Sequence, residues 1–63
     1  MDIKIEFYNK ETNNDREFKG ASMEIEFEEE EPELEGVFIQ DKSDSLYLSK
    51  WSLLNDVKRI TIK

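Results

Sequence analysis

The chain reads as a small all-β domain: a five-stranded antiparallel sheet or partly open SH3-like or OB-like barrel, with one short helical turn before the last strand. Three observations predict this. Apolar and charged residues alternate in short runs such as "IKIEF" and "MEIEFE", which is the period-two signature of half-buried strands. Clusters rich in Asn, Asp and Ser, "NKETNND" and "DKSDS", separate the runs, and such residues favour turns because they bond their own backbone. The alternation lapses in "LYLSKWSLLNDV", where a helical turn fits before alternation resumes.

The first strand sets Ile3, Ile5 and Phe7 on one face and Lys4 and Glu6 on the other. The second is clear from Ala21 on, with Met23, Ile25 and Phe27 alternating against Glu24, Glu26 and Glu28. Phe18 lies on the opposite parity, so Gly20 is expected to host a register-correcting bulge. Strands one and two are expected to pair antiparallel. Pro32 cannot donate to a ladder and Gly36 relaxes the backbone, which predicts a loop with Leu34 folding back on the core. "VFIQD" and "LYLSK" read as strands three and four. Leu54, Val57 and Ile60 fall at three-residue spacing, as on one face of a short 3₁₀ or α turn, with Ser49 or Ser52 as its cap. Ile60 and Ile62 then alternate with Arg59, Thr61 and Lys63 as strand five. Rolling such a sheet would hide its edges.

The 63 residues are expected to form one domain, 1–63, with an acidic strand and loop at 24–36. A chain this short buries only about 60% of its unfolded surface, and many such domains need a staple. Without Cys or His, disulfides, thiolate zinc sites and the commonest general base are all missing. What remains is a well-packed core, self-association, or both. No cofactor and no metal are expected. The N-terminus shows no continuous apolar h-region, and no apolar run approaches the roughly 18 residues of a membrane span. A cytoplasmic protein without a membrane partner is the expectation.

The net charge of −7 is concentrated. Glu24 to Gly36, "EIEFEEEEPELEG", holds eight of the sixteen acids and no base. The flanking segments carry −1 and +2, and −1 − 8 + 2 = −7. One localised patch of this kind makes a directed field, which a uniform acidic surface does not.

Catalytic chemistry lacks its parts. The serines at 22, 43, 45, 49 and 52 have no His to activate them, and a nucleophile without a base is inert. The carboxylates could pair as acid and base, but so short a chain offers little room for a cleft that raises one carboxyl's pKa around a substrate. The two glycines stand sixteen residues apart, so there is no phosphate-binding loop. "DKSDS" fails as a calcium loop, because counting from Asp41 the sixth and twelfth positions are Leu46 and Ser52 where Gly and Glu are required. Asp41 and Asp44 read as turn residues. No enzyme is expected.

Two readings of the acidic stretch stand side by side. On an extended strand Glu24, Glu26 and Glu28 share a face at intervals of about 6.6 Å. Like charges so arranged oppose folding unless neighbours offset them, here Lys4, Lys58, Arg59 or Lys63. In the first reading the row is a solvated face that discourages aggregation. In the second it imitates a phosphate backbone, continued by Glu29, Glu30, Glu31, Glu33 and Glu35, and occupies a basic groove on a partner. Direct nucleic-acid binding has the wrong sign. Trp51 divides similarly: it reads first as core, given its large area, and alternatively as an exposed interface anchor. Tyr8 and Tyr47 are out of phase with their apolar neighbours and are expected to flank one outer face. Exposure of both Trp51 and Tyr47 would favour a homodimer.

The runs "MDIKIEF", "MEIEFEE" and "LYLSKWSLLNDVKRITI" resemble small β-rich proteins encoded by phages and mobile elements of Gram-positive bacteria. The resemblance covers most of the chain by pattern and carries no functional residue across. It implies a phage-type inhibitor or modulator of a host protein such as a defence component. Combined with the charge, the expectation is an acidic protein-binding module. Its contact residues would be Glu24, Glu26, Glu28, Glu29, Glu30, Glu31, Glu33, Glu35, Tyr47 and Trp51, set against a basic surface of a host protein. The alternative is a self-assembling homodimer with no inhibitory role.

Overall fold

The structure is a computed structural model that describes residues 1–30 and 33–63. It is mostly β, in the order β1 (Ile3–Phe7), β2 (Arg16–Phe18), β3 (Ser22–Phe27), β4 (Leu34–Gln40), β5 (Ser45–Ser49), α1 (Lys50–Asn55) and β6 (Val57–Ile62). The strands form two three-stranded antiparallel sheets, β2-β1-β6 and β3-β4-β5. Five strands in one rolled sheet were expected. Among the described residues there are six, and no ladder closes the two sheets into a barrel.

Gly20 is the reason for the extra strand. It takes φ = 60°, a left-handed conformation that costs glycine little. Its N–H donates to Asp2 Oδ1 at 3.2 Å, and Ala21 N–H donates to the Met1 carbonyl at 2.7 Å. The chain turns here from one sheet into the other, so Gly20 is a bend and not a bulge. Phe18 can therefore keep a parity opposite to Met23, since the two face the core from different sheets. β1 pairs with β2, Ile3 opposite Phe18, while the acidic strand β3 pairs with β4.

The inner faces supply the core. Ile3, Ile5, Phe7 and Phe18 from one sheet meet Val37, Ile39 and Leu48 from the other, with Ala21 at the bend. Ile5 and Ile39 are fully enclosed, and each such side chain contributes about 1.5–3 kcal/mol of transfer free energy. Two bulges keep apolar residues on the inner faces. One near Lys58 aligns Val57 with Phe7. The other, at Glu35, aligns Leu34 with Phe27; Leu34 is half-buried, but Leu34, Glu35 and Gly36, expected in a loop, belong to β4.

Side-chain caps hold the connections. Asp41 Oδ1 accepts from the Ser43 and Asp44 amides at 2.8 Å each, closing the β4–β5 turn. Asn9 Oδ1 accepts from the Glu11 amide at 3.0 Å in the first loop. Ser49 caps α1, its Oγ accepting from the Ser52 amide at 3.3 Å. The helical turn holds Lys50–Asn55, so the spacing of Leu54, Val57 and Ile60 does not define its buried face. Leu53 packs on the core, Leu54 is 73% exposed, and Val57 and Ile60 belong to β6. No helix among the described residues is long and apolar enough to cross a membrane.

Candidate functional site

β3 is an edge strand, with β4 on one side and no second neighbour among the described residues. Its pairing sorts its side chains. Met23 and Ile25 align with Ile39 and Val37 on the inner face, and these align in turn with Leu46 and Leu48. Glu24 aligns with Phe38 and then Tyr47, and Glu26 with Gly36 and then Ser49, on the outer face. The outer face of this sheet thus carries Glu24, Glu26 and Tyr47 together.

The Tyr47 ring leans across Gly36, and its hydroxyl donates to the Glu35 carbonyl at 3.4 Å. The phenol is pushed above its ordinary pKa, first by lost hydration and then by the negative charge of Glu35 and Glu26. Tyr8 follows β1 in the other sheet, its N–H bonded to the Asp56 carbonyl, so the two tyrosines do not flank one face.

The rest of the acidic stretch lies past the strand. Glu28 stands at the base of the β3–β4 connection, where its N–H donates to the Glu33 carbonyl at 2.9 Å. Glu29 and Glu30 are exposed in a bend. Glu31, with Pro32, lies outside the described residues. The row expected to run straight from Glu24 to Glu28 is therefore two strand positions followed by a loop.

The expected offsetting bases are elsewhere. Lys4 and Arg59 lie 3.9 and 3.7 Å from Glu6 on the other sheet. Among the described residues only Glu33 of the acidic stretch has an ion pair, with Lys50 Nζ at 3.5 Å. Lys50 Nζ also sits 5.1 Å from the centroid of the Trp51 ring, which joins Glu33, Lys50 and Trp51 in one group. Glu33 and Trp51 are largely solvated while Lys50 is partly covered, and each pair contributes little.

Trp51 is 64% exposed, so its expected place in the core is wrong. The helical turn is too short to bury more than one stripe, and Leu53 occupies it. Ile25 and Phe27 also depart from the sequence reading. They alternate as core residues should, yet they are 54% and 59% exposed.

No family, no curated protein and no solved structure matches the chain. The site is thus defined by its own geometry, as an acidic strand edge on a small two-sheet β protein.

Proposed function

We propose that the protein is a binding module without catalytic activity, whose acidic edge occupies a basic surface on another protein. The observation that carries this is the ordered placement of Glu24 and Glu26 on the outer face of an edge strand, beside Tyr47 and without ion-pair partners among the described residues. Carboxylates held on a strand need no ordering on binding, whereas those of a loop do. Glu28, Glu29, Glu30 and Glu35 extend the field, which speeds encounter with a basic partner. The partner surface is one that carries lysines and arginines, including a groove built for nucleic acid, and the resemblance to phage-encoded proteins makes a host defence component the first candidate. For the fold, we read β2 and β3 as one strand kinked at Gly20, which counts five strands in an SH3-like roll.

A homodimer is the second reading. Exposure of Tyr47, Trp51, Ile25, Phe27 and Leu54 favours it, because burying such side chains against a second copy would supplement a small core.

A pull-down from a Gram-positive host lysate tests the first reading. Wild type is compared with a folded variant carrying Glu24→Gln, Glu26→Gln, Glu28→Gln and Glu30→Gln. A partner held by wild type, lost by the variant and released by moderate salt supports acidic docking. Identical captures sink it. Sedimentation over a concentration series tests the second reading, which fails if the protein stays monomeric.

A further inference from the structure

We propose that β3 is a strand-addition site, and that its occupant is an extended segment of another polypeptide in which basic and apolar side chains alternate. This rests on the acidic-docking reading above and specifies the form of the partner. An edge strand such as β3 carries N–H and C=O groups that point away from its single neighbour, and a further strand can pair with them.

The side chains of β3 select which strand. Ile25 and Phe27 have inner-face parity, aligned with Val37 and Leu34, but stand exposed on the edge strand. Glu24 and Glu26 line the opposite face. An added strand would set alternate side chains beside each row. Apolar residues beside Ile25 and Phe27 would extend the inner layer. Lys or Arg beside Glu24 and Glu26 would form cross-strand pairs of opposite charge.

A second copy of β3 does not fit this edge. Antiparallel self-pairing that keeps both inner faces on one side and spans most of Ser22–Phe27 sets Glu24 opposite either Glu24 or Glu26 of the other copy. Like charges directly opposite are destabilising. Charge therefore rejects the chain's own edge and accepts a basic one.

The test uses synthetic peptides matched to the six residues of β3, followed through the backbone amide resonances of the intact protein. One peptide alternates Lys with Val. A second has the same composition in two blocks. Two more carry N-methyl groups on alternate residues of the first, one in each phase, so that one of them removes the N–H groups facing β3. The expected result is that the alternating peptide shifts the amides of Ser22–Phe27 and that one N-methyl phase abolishes this. The block peptide should bind more weakly. Glu24→Gln with Glu26→Gln should weaken the alternating peptide about fivefold. Equal binding of all four peptides overturns strand addition while leaving acidic docking intact. Absence of any shift at roughly millimolar peptide overturns both. Concentration-dependent protection of the β3 amides without peptide would mean that a second copy takes the edge, and would also overturn the proposal.

Discussion

The Tyr47 ring covers Gly36, so closely that a Cβ at position 36 would lie 2.6 Å from Tyr47 Cζ and 2.7 Å from the Leu48 carbonyl oxygen. Gly36 sits opposite Ser49 in the ladder, one rung beyond Phe38 and Tyr47, so the ring reaches diagonally over it. The absent side chain makes room for the aromatic, and the aromatic shields backbone that glycine leaves open.

Gly36→Ala should therefore destabilise the protein by about 2 kcal/mol, within the usual range for overpacking. The Leu48 carbonyl is backbone and cannot rotate away, so adding Tyr47→Ala should restore only part of the loss. Urea titration of the two variants and wild type checks this. Full recovery in the double variant would show that the ring was the only obstacle.

Gly20→Ala should cost about 1 kcal/mol for a different reason. Nothing lies within 4 Å of a Cβ at that position, so the penalty is conformational, from φ = 60°. Gly20→Asn should be milder, since Asn tolerates left-handed backbone. Urea midpoints in the order wild type, Asn, Ala are expected; equal midpoints for Asn and Ala would contradict a purely conformational origin.

Acid should weaken the fold through three aspartates. Asp41 is held below the ordinary value of 3.8 by the Ser43 and Asp44 amides, with the Lys19 amide and Arg16 adding to them. Asp2 is held low first by the Gly20 amide and then by Lys19, and Asp15 first by Lys10 and then by the Phe7 amide. A depressed folded pKa means that the folded state favours the charged form. The stabilisation is complete above 3.8 and is lost as pH falls through the lower folded values. Asp41→Asn should lower stability at neutral pH and flatten the acid limb of the stability profile. An unchanged slope below pH 3.8 would show that Asp41 does not contribute.

The only tryptophan is largely in water. Its emission should resemble that of free indole in the folded state and shift little on unfolding. Trp51→Ala should change stability by less than about 0.5 kcal/mol. Leu48→Ala, at a position 3% exposed, should cost about 3 kcal/mol or unfold the chain. A blue-shifted native emission would place Trp51 in an interface between copies, and its dependence on concentration would reveal the dimer.

Ser49→Ala should cost about 1 kcal/mol by removing the acceptor for the Ser52 amide, and Ser49→Asp should recover most of it. Circular dichroism and urea titration together check this. Equal losses for Ala and Asp would assign the role of Ser49 to the β5 ladder instead.

Local chemistry alone determined much of this protein. The alternation of Ile3, Ile5 and Phe7, the turn chemistry of Asn9 and Asp41 and the return to alternation at Ile60 are each decided by a few neighbouring residues and were legible in the sequence, which left the helix cap open between Ser49 and Ser52. Tertiary structure decided what those elements face. Gly20 marked an irregularity, but whether it shifts a register or carries the chain into a second sheet depends on strands distant in sequence. Ile25 and Phe27 alternate as faithfully as Ile3 and Ile5, yet they stay exposed. Burial depends on what covers a side chain: Val37 and Leu48, on the same rung as Ile25, are buried, while Ile25 stands exposed at the edge of the sheet. Trp51 lies outside the core for a similar reason: a single helical turn offers one inward position, and Leu53 fills it.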